Sequence, residues 1–509
     1  MSEHRFSQLA LVIACFVTLG HALMLRAWML DDAFIFFRYA ENWVEGHGLR
    51  FNAGEAAVEG YSSFLWVALL AAGHLCNLDT VVWSLILGYA CAAGTLVLVH
   101  QSWRWVQIDR RTASHACLLL GTCGAFTPWP QSGMETSLHA LLVTALLLGY
   151  LHAKGAEYRR GRWIRLGLLA ALVCMNRPDG ALVVMVVAAD AWLLRAAIGR
   201  RPLELAAATV VLVFGSYFVW RWSYYGYLFP NTFYAKVGST WAQVQRGFGY
   251  VFGSVFALLP LLLLPASVGR GWRNADRDYL VIPALLVVFT GYIVLVGGDV
   301  MPAYRFFSPL VPVMALLAAM TLTTHREEVR TPVVIGCVLF NLMMVLTSVT
   351  PSIRGDVVAH NGTVAGRWLR IHAPKGAVLA ANSAGALVYY SRMRAIDMLG
   401  LNDSHIAHRK VEGMGKGHSG HEKGDGAYVL SRRPEFIQLG SSLGWVPTKV
   451  MPDPPFPGDR ELWNNPEFRS GYHLYYKSGP TRWPGGERCG LFGFYVRNDV
   501  FEALTKAGK

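Results

Sequence analysis

The sequence predicts a polytopic α-helical membrane protein that ends in a separate α/β domain. The chain has 509 residues, of which 53% are hydrophobic and only 16% are charged, and this composition is too apolar for an ordinary soluble domain. Long apolar runs recur as far as residue 349 and then stop. We therefore divide the chain into a membrane domain, residues 1–350, and a C-terminal domain, residues 351–509.

The apolar runs approach the length that a helix needs to cross a bilayer, about 20 residues. They predict about eleven spans, near residues 8–30, 81–99, 114–127, 134–151, 166–175, 181–194, 203–219, 247–268, 279–296, 306–322 and 331–349. We interpret the further run 61–75 as re-entrant or interfacial. Counting it as a span would place Arg104, Arg110 and Arg111 on the face opposite the other basic loops.

Most basic residues of the short loops then share one face with the N-terminus. That face is cytoplasmic by the positive-inside rule, so the C-terminal domain is expected on the outer side. The formal net charge of +13 follows mostly from this topology and from the C-terminal region. It therefore does not indicate a nucleic-acid partner.

The C-terminal region alternates apolar and polar residues in short segments, such as 377–381, 394–399 and 436–439, between turns rich in glycine and proline. This pattern is typical of a small α/β domain. The stretch 449–488 is rich in proline, glycine and aromatic residues, and we expect long ordered loops there rather than helix.

Nearly every polar cluster of the membrane domain falls on the outer face in this topology. The clusters supply acids and cations from loops that are far apart in sequence, namely Asp31, Asp32, Glu59, Glu135, Asp179, Asp299, Arg177, Lys236 and Arg305. Ionisable side chains at a membrane surface favour a functional site over a structural role. We expect a catalytic or binding cavity at the outer membrane surface.

Apolar residues recur at helical spacing after the first acidic pair, until Gly46 and Gly48 end the run. The pattern predicts a short amphipathic helix that lies flat on the bilayer. Asp32 precedes this helix at a position typical of an N-cap, so a purely structural role for Asp32 stays open beside a catalytic one.

Several motifs together resemble the GT-C glycosyltransferases that use polyprenyl-phosphate sugars. The motifs are Asp-Asp-Ala-Phe-Ile-Phe-Phe-Arg at 31–38, Glu-Gly-Tyr-Ser-Ser-Phe at 59–64, Gly-Met-Glu-Thr at 133–136, Pro-Asn-Thr-Phe-Tyr-Ala-Lys at 230–236, Gly-Asp at 298–299 and Arg-Ala-Ile-Asp-Met-Leu at 394–399. They are similar to the arabinofuranosyltransferase branch, which includes mycobacterial terminal β-(1→2)-arabinofuranosyltransferases and pilin arabinosyltransferases.

This resemblance implies transfer of a pentofuranose, D-arabinofuranose, from a polyprenyl-phosphate donor to a periplasmic glycan or a surface-protein hydroxyl. It places the protein in the bacterial inner membrane, among membrane lipids, with a cytoplasmic N-terminus and a periplasmic C-terminal domain. The acceptor stays open, as does retention or inversion at the sugar. A divalent cation also stays open, because some enzymes of the superfamily use one, although no ligand spacing here demands it.

The chemistry assigns a role to each candidate residue. Asp31 is the predicted base for the acceptor proton, with Asp32 as the second candidate. Lys236 and Arg305 are expected to stabilise the negative charge that develops on the phosphate, and Arg177 is a further candidate. Alternatively, Lys236 and Arg305 only extend their charged groups to the membrane interface. The residues expected to bind the sugar or the acceptor are Glu59, Tyr61, Glu135, Asn231, Tyr234, Asp299 and His421.

Two alternatives are disfavoured by the same sequence. No glycine-rich loop has the strand-and-helix setting of a nucleotide site, so a lipid-linked donor is preferred to a nucleotide sugar. A transporter or flippase of lipid-linked sugars would carry repeated halves with ionisable residues near the midplane. Here the charges lie at one face, and no internal repeat is evident.

Overall fold

The computed structural model describes residues 2–266, 279–323, 325–441, 454–483 and 486–506. Its first two thirds, to residue 355, form a helical body. The helices are α1 (Glu3–Met24), α2 (Asp31–Val44), α3 (Phe64–Leu75), α4 (Thr80–His100), α5 (Arg110–Thr122), α6 (Thr136–Gly155), α7 (Arg160–Asn176), α8 (Gly180–Leu193), α9 (Arg195–Ile198), α10 (Arg200–Val210), α11 (Ser216–Tyr225), α12 (Asn231–Lys236), α13 (Trp241–Ala257), α14 (Leu259–Ala266), α15 (Val281–Val296), α16 (Val311–Leu322), α17 (Glu327–Met344) and α18 (Thr350–Gly355).

Within the described residues, five helical segments are long and apolar enough to cross a membrane: Glu3–Met24, Thr80–His100, Thr136–Gly155, Arg200–Tyr225 and Glu328–His372. The segment Arg200–Tyr225 combines α10 and α11, and Glu328–His372 runs from α17 through α18 to the helix at Val358–His372. The pair α13 and α14 passes the same test together but is bent by 85°. Shorter apolar helices include α3, α8, α15 and α16. The prediction of a helical membrane protein is confirmed, whereas the number of spans stays a prediction. Residues 267–268 of one predicted span, and the loop residues Arg273 and Arg277, lie outside the described residues.

Helix starts in the body follow ordinary capping chemistry. The Asp79 side chain accepts a hydrogen bond from the Val82 N–H at 2.9 Å, and Asp109 does the same for Thr112 at 2.5 Å. These caps satisfy N–H groups that have no partner inside the helix. With only twelve residues, α3 extends about 18 Å and cannot cross the hydrocarbon core alone.

The C-terminal region folds around a five-stranded mixed sheet of order β2-β1-β3-β5-β4. Its elements are α19 (Val358–His372), β1 (Val378–Ala381), α20 (Ala386–Ser391), β2 (Arg394–Asp397), α21 (Ser404–His408), α22 (Gly426–Ser431), β3 (Phe436–Gln438), α23 (Pro457–Asn464), α24 (Pro466–Gly471), β4 (Tyr472–Trp483), β5 (Gly486–Arg497) and α25 (Asn498–Lys506). Strand β1 pairs in parallel with β2 and β3. These three strands coincide with the alternating segments of the sequence.

The expectation of long loops over 449–488 is wrong for the part that is described. Helices α23 and α24 and strand β4 fill residues 457–483, while residues 442–453 and 484–485 lie outside the described residues. Pro457 and Pro466 stand in the first turns of their helices, where a missing N–H costs nothing. These prolines start helices rather than exclude them.

Helix α2 forms where the sequence predicts it, and its orientation flat on the bilayer stays a prediction. Its residues 33–41 are buried, and part of this burial comes from the C-terminal region. Phe34 contacts Tyr389 and Tyr390, with ring centroids 5.5 Å apart in both cases. The helix begins at Asp31 with Leu30 as N-cap and no side-chain cap bond, so the interpretation of Asp32 as the N-cap is wrong.

Polar contacts join α2 to α20 of the C-terminal region. The Arg38 guanidinium donates to the carbonyls of Val388 at 3.1 Å and Met393 at 2.8 Å. The Glu41 carboxylate accepts from Arg392 at 2.6 Å and also from the Tyr389 hydroxyl. Buried charges that are paired in this way hold two elements in one register, and they fix the position of the acidic pair at the start of α2.

Candidate active site between the helical body and the C-terminal region

Two adjoining cavities lie where the helical body meets the C-terminal region. The first, which we call the helix-side cavity, has a volume of about 360 Å³ and is lined mainly by the helical body. The second, the domain-side cavity, has a volume of about 410 Å³ and lies between the body and the C-terminal region. Both volumes suit a small polar group such as a sugar ring.

The two cavities share a wall at the start of α2. The residues that line both are Asp32, Ile35, Lys236, Leu401 and Ser419. Asp32 Oδ2 lies 4.0 Å from Lys236 Nζ, and their side chains are 24% and 32% exposed, respectively. Both charged groups therefore remain accessible from the cavities. This junction is the place where groups bound in the two cavities would meet.

Asp31 has a different environment from its neighbour. Its carboxylate accepts hydrogen bonds from the backbone N–H groups of Gly385 at 3.1 Å and Ala386 at 2.9 Å, where α20 begins. A side chain at Gly385 would place its Cβ 2.0 Å from the Asp31 carbonyl oxygen, so this approach requires glycine. Asp31 thus joins the body to the C-terminal region, although it still borders the domain-side cavity.

Burial raises the pKa of Asp31 from 3.8 to about 7, against the opposing effect of the hydrogen bond from Ala386. The folded protein therefore keeps this proton to a higher pH than the unfolded chain does. The corresponding stabilisation is complete below about pH 4 and is lost as the pH rises to about 7. We expect the stability of the wild type, relative to Asp31→Asn, to fall by about 3 kcal/mol between these limits, because each unit of the pKa shift corresponds to about 1.4 kcal/mol.

Thermal unfolding of both proteins in the same detergent, followed across this pH range, measures that difference. The two curves should converge at the acidic end and separate at the neutral end, with the wild type losing more. Parallel curves for the wild type and Asp31→Asn would contradict the shifted pKa.

Three acids and two arginines form a buried charged network on one wall of the helix-side cavity. Arg177 donates to both oxygens of Asp179, with Nε–Oδ1 and Nη2–Oδ2 distances of 2.9 Å. Its remaining nitrogen Nη1 donates to Glu135 Oε1 at 2.6 Å. Asp179 belongs to a Pro-Asp-Gly turn at 178–180, a sequence typical of a structural turn. The turn presents the Asp179 carboxylate to Arg177, and both residues line the helix-side cavity. All three guanidinium nitrogens of Arg177 are engaged.

Arg305 belongs to the same network but keeps more of its donors. Its Nε lies 2.7 Å from Asp299 Oδ2, and both side chains are less than 10% exposed. Among the described residues, no protein hydrogen bond of its Nη1 or Nη2 groups is seen, and the residue lines the helix-side cavity. An arginine held by its Nε presents the other two nitrogens as a fork, which suits two oxygens of a phosphate.

The other flank of the helix-side cavity is apolar. It includes Leu182, Met185, Phe229, Phe233 and Val296. Met185 is 57% exposed, and the stacked rings of Phe229 and Phe233 are 43% and 38% exposed. Exposed apolar side chains on a membrane protein face lipid or a lipid-like ligand. The cavity therefore has one charged wall and one wall compatible with a hydrocarbon chain.

Several residues predicted to bind sugar or acceptor are engaged with the protein instead. Glu59 forms a buried ion pair with Arg221, and Tyr61 borders the cavity while its hydroxyl bonds Tyr225 at 3.0 Å. Asn231 donates to the carbonyls of Gly400 and Leu401. Tyr234 stacks on His408 with centroids 4.2 Å apart. The linings of the two cavities do not include Glu59, Asn231 or Tyr234.

The Glu59–Arg221 pair gives a prediction about stability rather than binding. Both side chains are 5% exposed, and removal of one member leaves the other as an unpaired buried charge. Glu59→Gln should destabilise the protein by about 3 kcal/mol, measured as a lower unfolding temperature. The double variant Glu59→Gln/Arg221→Gln should recover part of the loss. A normal unfolding temperature of the single variant would contradict this role.

The domain-side cavity is lined by polar side chains of both regions. His421 borders it, with Nδ1 at 3.1 Å from the Ser419 carbonyl, and burial lowers its pKa, which favours the neutral ring. Asp356, Asn382 and Ser383 also line this cavity and were missed in the sequence. Asn382 and Ser383 follow β1 directly, and the carboxyl end of a parallel strand is a general location for ligand contacts.

A divalent cation was left open by the sequence. Within the described part of the chain, no three or more histidine, cysteine, aspartate or glutamate side chains converge in a group that would hold a metal. Of the acids that line the helix-side cavity, Glu135, Asp179 and Asp299 are paired with arginines instead.

A family model for a domain of unknown function (DUF8728) matches residues 352–490 of this chain. Two curated relatives are also similar to this chain. The terminal β-(1→2)-arabinofuranosyltransferase of Mycobacterium tuberculosis is 30% identical over 289 residues, which cover 52% of this chain and 44% of that protein. The GPI mannosyltransferase 3 of Yarrowia lipolytica is 27% identical over 210 residues, which cover 40% of each. The chain spans less than half the length of these relatives.

A solved structure is similar to most of this chain in fold. The crystal structure of ArnT from Cupriavidus metallidurans bound to undecaprenyl phosphate aligns with a TM-score of 0.53 and 14% identity, covering 77% of this chain and 84% of ArnT. At this identity the likeness concerns the fold. The resemblance to GT-C enzymes of the arabinofuranosyltransferase type, predicted from the motifs, is confirmed.

Proposed function

We propose that this protein is a membrane glycosyltransferase that transfers a pentofuranose, D-arabinofuranose, from a polyprenyl phosphate to a hydroxyl group at the outer membrane surface. The observation that carries the proposal is the junction at Asp32 and Lys236. There, a cavity with an apolar flank and a charged wall adjoins a polar cavity of similar volume. Such a pair can hold a lipid-linked donor and a polar acceptor side by side.

The helix-side cavity is proposed as the donor site. The isoprenoid chain would leave along the exposed side chains of Met185, Phe229 and Phe233, and the phosphate would meet the Arg305 fork and Lys236. These cations stabilise charge that develops on the phosphate as the glycosidic bond breaks. Arg177, whose nitrogens are all engaged, would position Glu135 and Asp179 toward the sugar. The fold shared with ArnT, which was crystallised with undecaprenyl phosphate, supports this donor class.

The domain-side cavity is proposed as the acceptor site. An acceptor hydroxyl attacks the anomeric carbon, the bond from that carbon to the phosphate oxygen breaks, and its electron pair stays on the phosphate. The acceptor proton passes to a carboxylate. We propose Asp32 for this role rather than Asp31, because Asp32 faces both cavities whereas the oxygens of Asp31 accept the backbone N–H groups of α20.

The sugar assignment rests on the mycobacterial relative, and mannose is the alternative that the second relative suggests. For the acceptor, the polar lining supplied by Asp356, Asn382, Ser383 and His421 suits a glycan or a surface-protein hydroxyl. Transport of a lipid-linked sugar is not favoured, because the buried acid–arginine network and the Asp32–Lys236 pair lie together at one end of the helical body. The proposal includes about eleven spans, a cytoplasmic N-terminus in a bacterial inner membrane and a periplasmic domain over residues 351–509.

Transfer assays with purified protein in vesicles test this proposal. Radiolabelled arabinofuranose and mannose are supplied separately on the same polyprenyl phosphate, and each sugar is also supplied as a nucleotide, with an envelope glycan fraction as acceptor. The expected result is transfer from polyprenyl-phosphoryl arabinofuranose alone. Transfer from the mannosyl lipid would overturn the sugar, transfer from a nucleotide sugar would overturn the donor class, and appearance of intact donor inside the vesicles would favour a transporter.

A further inference from the structure

A third cavity lies at the opposite end of the helical body from the proposed active site. Ser7, near the start of α1, bonds His100 at the end of α4 with an Oγ–Nε2 distance of 2.8 Å, whereas Asp31 follows the other end of α1. The third cavity borders this far end of α4, since Leu98 and Trp105 line it together with α6 and α7. Its volume is about 340 Å³. The two ends of α1 are about 33 Å apart.

The lining of this cavity, which we call the basic pocket, is divided by polarity. Leu98, Leu148 and Leu169 form an apolar inner wall. His152, Arg162 and Arg165 stand at the helix ends, where the pocket is polar. A hydrocarbon wall beneath a cationic rim matches the two ends of a phospholipid with a charged headgroup.

The arginines of the rim are not neutralised by the protein. Arg162 Nη1 donates to the Glu157 carbonyl at 3.0 Å, and Arg165 Nε donates to the Gly161 carbonyl at 3.1 Å. Among the described residues, neither forms an ion pair with a carboxylate. Lys154 nearby differs, because it pairs with Asp190 at 3.2 Å.

The position of these arginines adds to their unbalanced charge. They belong to the first turns of α7, together with Arg159 and Arg160, and Arg159 occupies the N-cap without a side-chain cap bond. Positive charge at a helix N-terminus opposes the helix dipole and is unfavourable. An anion bound among these residues would offset both the dipole and the mutual repulsion.

We propose that the basic pocket binds an anionic glycerophospholipid, with the phosphate between Arg162 and Arg165 and an acyl chain against the leucine wall. A free phosphate ion shares the headgroup chemistry but would leave the apolar wall uncovered. The lipid binds at the end of the body that we assign to the cytoplasmic leaflet. This site is independent of the proposed transfer reaction.

Quenching of Trp105 by brominated lipids tests this site. The full chain is reconstituted in phosphatidylcholine nanodiscs that contain either brominated phosphatidylglycerol or brominated phosphatidylcholine. A Trp105→Phe variant defines the contribution of the other tryptophans. We expect quenching of the Trp105 signal at a roughly tenfold lower fraction of the anionic lipid, and we expect Arg162→Gln/Arg165→Gln to abolish this preference.

The matched control is Arg159→Gln/Arg160→Gln, which removes the same charge from exposed residues of the same helix that do not line the pocket. This control should keep the preference. Equal quenching by the two lipids in the wild type, or equal loss of preference in both double variants, would overturn the proposal in favour of general surface charge. Equal quenching by the two lipids, together with a change of Trp105 fluorescence on addition of millimolar inorganic phosphate that Arg162→Gln/Arg165→Gln abolishes, would show that the pocket takes a free anion and would overturn the lipid.

Discussion

Replacement of Asp32 by asparagine is expected to lower the rate of sugar transfer by at least about 100-fold, the loss typical for removal of a general base. Asp32 is the carboxylate that lines both cavities and lies beside Lys236. Asparagine has the same shape but cannot take the acceptor proton. The loss should appear in kcat, measured with a labelled polyprenyl-phosphoryl donor, and donor binding should change little.

Asp31→Asn is the matched control, because it makes the same chemical change at the neighbouring residue. Gly385 and Ala386 donate to different oxygens of Asp31, so asparagine keeps one of these two hydrogen bonds, and we expect the C-terminal region to stay attached. We expect less than about a tenfold loss of transfer. A complete loss in Asp31→Asn with normal transfer in Asp32→Asn would reverse the two roles.

Removal of the phosphate-binding fork should have the second largest effect. Arg305→Leu is expected to lower kcat by about 100-fold or more, as for the loss of one donor to a developing negative charge. Arg305→Lys keeps the charge but cannot bind two phosphate oxygens at once, so an intermediate loss is expected. Steady-state kinetics with varied donor concentration measures both variants.

Asp299→Asn tests whether transfer depends on the Arg305 guanidinium itself or on the ion pair between Arg305 and Asp299. The amide keeps the size of the carboxylate, whose Oδ2 lies 2.7 Å from Arg305 Nε, but it does not neutralise the guanidinium. Because the arginine keeps its position and its charge, the loss of transfer should be much smaller than in Arg305→Leu. An equal loss in the two variants would indicate that the pair only holds the fold together.

The acidic pair, the cations and the helical character were predictable from the sequence, because charges at helix ends in an apolar chain have few structural uses. The sequence predicts one membrane face for Asp32, Lys236, Arg177 and Arg305, and on that basis their convergence on one cavity was expected. The different environments of Asp31 and Asp32 were not expected. Nothing in the motif at residues 31–32 indicates that Asp31 contacts a helix start some 350 residues later in the chain.

Several predicted site residues have partners inside the protein that are distant in sequence. Glu59 pairs with Arg221, and Asn231 bonds to carbonyls at 400–401, and neither partner was singled out by a motif. Part of the burial of α2 comes from the C-terminal region, a contact that periodicity alone does not predict. Composition likewise misplaced residues 457–483, where proline begins helices and tyrosine forms a strand.

We propose that a polyprenyl phosphate occupies the helix-side cavity while the domain-side cavity receives the acceptor. A photoreactive undecaprenyl phosphate can be cross-linked to the reconstituted protein, and the labelled residues can be mapped by mass spectrometry. We expect adducts on α8 and on residues 229–237, reduced in Arg305→Leu and unchanged in Asp32→Asn. Adducts confined to residues 352–358 and 382–384 of the domain-side cavity, or labelling that Arg305→Leu leaves unchanged, would show that the polyprenyl phosphate does not bind in the helix-side cavity.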